Sequence, residues 1–125
     1  NHFMLFAPQD QDYGRSRYTT ELRRVYGVME ARLSRSPYLG GAEFSIADLA
    51  AFPWVWSNAG RWAEKFPFLA RDAGPGVAAW YERCAARPAV QRGLEVHGRL
   101  KSLVSTATPD ELDRVFGRGR YAYAT

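Results

Sequence analysis

Residues 43–54, EFSIADLAAFPW, constrain the fold of this chain more than any other stretch. Ser45 stands at the head of an apolar run, and Asp48 follows three residues later. At this spacing the Ser45 hydroxyl accepts a hydrogen bond from the Asp48 amide, and the Asp48 carboxylate accepts one from the Ser45 amide. Phe44 precedes this capping box, and Leu49 at the fourth helical position would pack against it as a hydrophobic staple. The stretch therefore predicts the start of a helix.

A second interpretation makes Ser45 a nucleophile that Asp48 assists. Such a pair needs a histidine to link the two side chains. The only histidines are His2 and His97, and neither shows any sequence sign of joining the pair. The capping geometry explains both residue types and their spacing, so we predict a structural role and no catalytic residue in this chain.

Hydrophobic periodicity predicts that the remaining structure is helical as well. The predicted helices cover about 13–35, 45–57, 77–86 and 89–97. The inward stripe of the first helix is Tyr18, Leu22, Val25, Met29 and Leu33. The inward stripe of the third is Val77, Trp80, Tyr81, Cys84 and Ala85. Because the 45–57 helix is apolar nearly all round, we predict an all-α bundle packed around it, with that helix buried at the centre.

The predicted domain spans residues 1–97, and residues 98–125 form a C-terminal tail. Within the tail, Thr108 and Glu111 have capping-box spacing, and Pro109 stands at the first helical position. The tail is therefore expected to carry a short helix over about 109–116.

Charge and cysteine content narrow the classes of function. The 17 Lys and Arg residues are scattered among 13 Asp and Glu, which argues against a nucleic-acid-binding face. The single cysteine, Cys84, cannot form an internal disulfide, and no secretory signal is readable, so we expect a cytoplasmic protein. The apolar stretch 46–56 is too short to span a membrane. One cysteine and two isolated histidines predict no metal site.

Three segments carry a resemblance to a known family: SPYLGG, EFSIADLAAFPWVW and WYERCAARPAV. Together they resemble the all-helical C-terminal domain of cytosolic glutathione transferases, whose central helix opens with the same capping box and staple. The pattern HF…AP…Y…RY and the E-x-x-R-x-Y motif of Glu21, Arg24 and Tyr26 are similar to the Nu-class branch. That branch includes glutathione-dependent disulfide-bond oxidoreductases. The resemblance covers about residues 2–95.

The resemblance implies a thioredoxin-like N-terminal domain that supplies most of the glutathione site. Nothing in this sequence reads as that domain, so we expect the chain to be part of a longer protein and to be inactive alone. The resemblance also implies glutathione as a substrate and a homodimer.

Tyr13 and Arg17 lie one helical turn apart at the start of the first helix, so they point the same way. From the residues alone, Arg17 is best read as a solvated surface arginine. In the Nu-class branch, however, the arginine of this RY motif contacts glutathione, and Arg17 matches it. The resemblance therefore implies that Arg17 binds glutathione, and Tyr13, which points the same way, is predicted to bind it as well. Phe3 and Phe6 are candidates for the substrate pocket, with core packing as the alternative.

Cys84 lies on the inward stripe of its helix, so we predict a buried thiol without reactivity. The four tryptophans, Trp54, Trp56, Trp62 and Trp80, are predicted to pack in the core or at a domain interface.

Two functions stay open at this point. The first is the helical half of a glutathione-dependent enzyme, which adds glutathione to electrophiles or reduces disulfides. In that case this half supplies Arg17, a pocket wall and part of a dimer interface. The alternative is a non-catalytic helical module of the same fold that serves protein assembly.

Overall fold

The computed structural model of the chain describes residues 11–60, 73–102 and 106–122. The helices are α1 (Asp12–Leu33), α2 (Ile46–Gly60), α3 (Pro75–Ala85), α4 (Pro88–Arg99) and α5 (Pro109–Val115), followed by a 3₁₀ turn, Gly119–Tyr121. Within these three described stretches every regular element is a helix, which confirms the predicted all-α class. None of the described helices is both long and apolar enough to cross a lipid bilayer.

The chain divides into two compact units. The first comprises residues 1–87, with α1, α2 and α3, and the second comprises residues 88–125, with α4 and α5. Helix α3 begins earlier than predicted, because Pro75 occupies its first turn, where a missing amide costs no intrahelical hydrogen bond.

The buried face of α1 differs from the predicted stripe. Tyr18 is 57% exposed and Val25 39% exposed, whereas Tyr26 is only 4% exposed. The Tyr26 hydroxyl accepts a hydrogen bond of 3.3 Å from the Asn58 side chain of α2, so its polar end is satisfied inside the unit. The prediction was wrong at Tyr18 and Val25. Helical periodicity fits a stripe through Val25 and a stripe through the neighbouring Tyr26 equally well, so it does not decide which of the two faces inward.

Helix α2 buries one side within the described residues. Phe52 and Val55 are buried, while Ile46 is 83% exposed and Trp54 67% exposed. Helix α2 was expected to be buried on all sides, but only one side is buried, and Trp54 lies on the exposed side.

The core of the first unit lies between α1, α2 and α3, with Tyr26 and Leu33 contributed by α1. Trp80 and Cys84 are completely buried, and Val77 is 1% exposed, which confirms this part of the predicted stripe. The Phe52 ring stacks on Tyr81 at a centroid distance of 5.4 Å and meets Trp80 edge-on at 6.3 Å. Aromatic pairs in these two geometries add to the stabilisation that burial provides.

A carboxylate from α1 caps the start of α3. Glu30 accepts hydrogen bonds from the backbone amides of Gly76, at 2.9 Å, and Val77, at 2.8 Å. The cap residue of α3, Gly74, has no side chain to do this. Because the first amides of a helix have no intrahelical partner, Glu30 satisfies two of them and joins α1 to α3.

We expect Glu30→Ala to lower the free energy of unfolding by about 1–3 kcal/mol, because two half-buried amides lose their acceptor. The measurement is denaturant unfolding followed by tryptophan fluorescence, since Trp54, Trp56 and Trp80 lie on helices of the first unit. Glu43→Ala, at an exposed carboxylate of the same unit, is the matched control. Equal midpoints for the two variants would contradict the capping role.

In the second unit, the predicted capping box of Thr108 and Glu111 is present. The Thr108 hydroxyl accepts from the Glu111 amide at 3.3 Å, and the Glu111 carboxylate accepts from the Thr108 amide at 2.8 Å. The hydrogen bonds from the Thr108 amide and hydroxyl lower the pKa of Glu111. This local pairing explains why a helix of seven residues forms at Pro109–Val115.

Candidate functional site

Asp48 lies at the centre of a buried polar group that we call the Asp48 cluster: Leu39, Ser45, Asp48 and Trp80. Asp48 itself is completely buried. Its Oδ1 atom accepts from the Leu39 amide at 2.8 Å and from Trp80 Nε1 at 2.8 Å. Its Oδ2 atom accepts from the Ser45 amide at 2.9 Å and from the Ser45 hydroxyl at 3.0 Å. The carboxylate therefore joins the 34–44 loop, the start of α2 and the middle of α3.

The hydrogen bonds of the cluster keep the Asp48 carboxylate ionised. Burial alone raises the pKa of a carboxylic acid, because it removes the charged form from water. At Asp48 the bonds from the Leu39 amide, the Trp80 indole and Ser45 outweigh burial, so the pKa lies below its usual value. A buried carboxylate whose oxygens are all occupied is not available to exchange protons with a substrate. We therefore interpret the Asp48 cluster as structural.

The start of α2 differs from the predicted capping box in one bond. The Asp48 amide donates to the Ser45 carbonyl at 3.1 Å, and the Ser45 hydroxyl accepts instead from the Ala47 amide at 3.3 Å. The Asp48 amide is already bonded to a backbone carbonyl, so the Ser45 hydroxyl is left to accept from the Ala47 amide, one of the first amides of the helix, which have no intrahelical partner. The returning bond, from the Ser45 amide to the Asp48 carboxylate, is present.

Phe44 contacts the loop and the end of α3. Its ring meets Tyr38 edge-on at a centroid distance of 5.9 Å, and the Arg87 guanidinium lies 4.0 Å above its centre. Leu49 is 56% exposed. The staple between Phe44 and Leu49 stays a prediction.

The second candidate region lies at the start of α1. Tyr13 is 84% exposed, and the Arg17 side chain, one turn later, is 56% exposed. An exposed guanidinium can bind a carboxylate with two parallel hydrogen bonds. This end of α1 therefore presents groups that suit an anionic ligand, whereas the Asp48 cluster does not.

Arg17 is the first member of a row of charges along α1, which we call the Arg17–Glu21–Arg24 row. Glu21 contacts Arg24 at 2.6 Å and Arg17 at 3.4 Å. The hydrogen bonds from Arg24, together with the weaker pull of Arg17, lower the pKa of Glu21 to about 2. Glu21 is therefore charged throughout the physiological range.

Two further predictions, the substrate pocket and the unreactive cysteine, have different outcomes. Phe3 and Phe6, predicted for the substrate pocket, lie outside the described residues. Cys84 is buried as predicted, and burial raises the pKa of its thiol to about 11. A thiol that stays protonated is a poor nucleophile.

In the part of the chain that the structure describes, no three His, Cys, Asp or Glu residues lie close enough to hold a metal ion.

Sequence reasoning missed several partners that the structure identifies. The contact of Glu21 with Arg17 follows from four-residue spacing on one helix and was open to prediction. The capping of α3 by Glu30, and the contact of Trp80 with Asp48, join residues 46 and 32 positions apart, respectively, and no local sequence signal marks them.

Comparison with known proteins shows similarity to one family. The family described as "Glutathione S-transferase, C-terminal domain" matches residues 12–83, which is more than half of the chain. The disulfide-bond oxidoreductase YfcG of Escherichia coli is 44% identical over 94 residues, 75% of this chain and 41% of that protein. YghU of the same species, also a disulfide-bond oxidoreductase by name, is 32% identical over 97 residues, 77% and 34% respectively.

Glutathione S-transferase 2 of Schizosaccharomyces pombe is 35% identical over 94 residues, which is 69% of this chain and 41% of that protein. The matched regions thus amount to 41%, 34% and 41% of the lengths of these three relatives.

Proposed function

Because this chain belongs to the glutathione S-transferase family through the family's C-terminal domain, we propose that it is the helical half of a glutathione-dependent enzyme that reduces disulfide bonds. The names of the two Escherichia coli relatives support disulfide reduction. Transfer of glutathione to electrophiles is the second candidate, and the name of the Schizosaccharomyces pombe relative supports it.

The observation that carries the proposal is the exposed Arg17 side chain at the start of α1. Glutathione is a tripeptide with two carboxylates, and a guanidinium binds such a group with two parallel hydrogen bonds. Tyr13 lies one turn earlier on α1, from which its hydroxyl would donate a further hydrogen bond. The role proposed for Arg17 and Tyr13 is therefore to orient glutathione.

The chemistry on the glutathione sulfur is assigned to groups outside the described residues. A thiol becomes a nucleophile when nearby donors stabilise its thiolate and lower its pKa. Cys84 is excluded from that role by its burial. In this proposal a thioredoxin-like domain supplies the donors, and Phe3 and Phe6 line the pocket for the second substrate. The active form would be a cytoplasmic homodimer.

The test is the affinity for glutathione of the complete gene product that carries this chain. We expect Arg17→Ala to raise the Kd about tenfold or more, because charge-assisted hydrogen bonds are lost. The Kd of Arg17→Lys should lie between that of the native protein and that of Arg17→Ala, since lysine keeps the charge but not the paired donors. Isothermal titration calorimetry gives the Kd values.

An exposed arginine of the same helix supplies the control. Arg23→Ala removes the same charge from α1 and should change the Kd much less than Arg17→Ala. Equal affinities of the native protein and Arg17→Ala would reject the assignment of Arg17. If the native protein bound no glutathione at all, the non-catalytic helical module would replace the enzyme as the preferred function.

A further inference from the structure

The E-x-x-R-x-Y motif of Glu21, Arg24 and Tyr26 is only partly explained by the proposed function. Tyr26 is accounted for by its burial and its bond to Asn58. Glu21 and Arg24, in contrast, form an exposed ion pair on the surface of α1. Exposed pairs add little to stability, so the motif needs a different explanation for these two residues.

Glu21 is held very unequally by its two arginine neighbours. Arg24 Nη2 lies 2.6 Å from Oε1, and Arg24 Nε lies 3.1 Å and 3.0 Å from the two carboxylate oxygens. Arg17 reaches only Oε2, through Nη1, at 3.4 Å. Fork-like contacts of a guanidinium with both oxygens are the stronger kind of pairing. Glu21 is thus committed to Arg24 and only loosely engaged with Arg17.

We propose that Arg24 is a positioning residue, which holds Glu21 and thereby leaves the Arg17 guanidinium available for a carboxylate of the ligand. The inference rests on the proposed function, in which that ligand is glutathione. Without Arg24, Glu21 would turn to its other neighbour, because residues four apart on a helix share a face. An incoming carboxylate would then have to displace Glu21 from Arg17.

The test uses Arg24→Gln, Glu21→Gln and the double variant in the complete gene product, with glutathione as the titrated ligand. We expect Arg24→Gln to raise the Kd, although Arg24 is not assigned to the ligand. Arg23→Gln is the matched control, since it removes the same charge one position away. The Kd of Arg24→Gln should be about two- to fivefold higher than the Kd of Arg23→Gln, because exposed ion pairs typically contribute an energy of that size.

Rescue separates positioning from a general effect of charge. Adding Glu21→Gln to Arg24→Gln removes the carboxylate that competes with the ligand for Arg17. The affinity for glutathione should therefore return to that of Glu21→Gln alone. Adding Glu21→Gln to Arg23→Gln restores the same net charge, yet should improve the affinity less. This comparison is a double-mutant cycle, and thermal unfolding of each variant verifies that the fold is intact.

The outcomes distinguish this inference from the proposed function. If Arg17→Ala leaves the Kd unchanged, the proposed function fails at its own residue. If Arg17→Ala weakens binding but Arg24→Gln matches Arg23→Gln, the positioning role of Arg24 is wrong while the proposed function stands. Equal rescue of both arginine variants by Glu21→Gln would likewise overturn the positioning role.

Discussion

Replacing Asp48 with alanine should lower the free energy of unfolding of the first unit by about 3 kcal/mol or more. The substitution leaves the amides of Leu39 and Ser45 and the Trp80 indole N–H without their acceptor. Each buried donor left unsatisfied costs about 1–3 kcal/mol. Domains are commonly stable by only about 5–15 kcal/mol, so this is a large fraction of the total. Denaturant unfolding followed by tryptophan fluorescence measures the effect.

Asp48→Asn keeps the result interpretable if the alanine variant does not fold. Asparagine has nearly the same shape and retains one carbonyl acceptor, so its cost should be smaller, about 1–3 kcal/mol. Glu43→Gln removes an exposed carboxylate two residues before Ser45 and should change stability little. The structural account of Asp48 would be wrong if Asp48→Asn and Glu43→Gln unfolded at the same denaturant concentration.

The lowered pKa of Asp48 also predicts how its contribution depends on pH. The unfolded chain protonates this carboxylate near its ordinary pKa of about 3.9, whereas the folded chain does so at a lower pH. The stabilisation is therefore fully present above about pH 4 and is lost as the pH falls through the folded-state pKa. The difference in unfolding free energy between the native chain and Asp48→Asn should accordingly shrink as the pH falls below about 4.

Trp80→Ala should be comparably damaging, with a loss of about 3–5 kcal/mol. Trp80 is completely buried, packs against Phe52, and donates its indole N–H to Asp48. Alanine would leave a large cavity between α2 and α3 and would remove one donor from the carboxylate. The unfolding transition remains measurable, because Trp54 and Trp56 on α2 report on it.

Trp80→Phe separates packing from hydrogen bonding. Phenylalanine restores most of the apolar contact but has no donor, so its loss should be smaller than that of alanine. The exposed Trp54→Ala is the control, since it deletes the same side chain from the surface of α2. A loss for Trp54→Ala as large as that for Trp80→Ala would mean that burial does not set the cost.

Local patterns predicted the helices because the features that define them lie within a few residues. Proline, glycine and capping residues mark helix ends, and apolar spacing marks their length, so the four main helices were found with ends near those observed. The exact face was less certain: α1 turns Tyr26 inward, although the Tyr18 and Val25 stripe fits the same period.

The candidate sites divide in a similar way. A local motif predicts the role of Arg17 and helical spacing adds Tyr13, and the exposure of both in the structure is compatible with ligand binding. The commitment of Glu21 to Arg24 required side-chain geometry, because spacing alone permits Glu21 to pair with either arginine.

The sequence by itself determined the helical class, the start of α2 directly after Ser45 and the family resemblance, because each depends on neighbours within one or two turns. Only the tertiary structure decided what Asp48 and Glu30 do beyond their own helices. Asp48 binds Leu39 and Trp80 as well as Ser45, and Glu30 caps α3 from α1. Such contacts form when packing brings distant segments together and buries donors that must find an acceptor, and no local spacing records which acceptor that is.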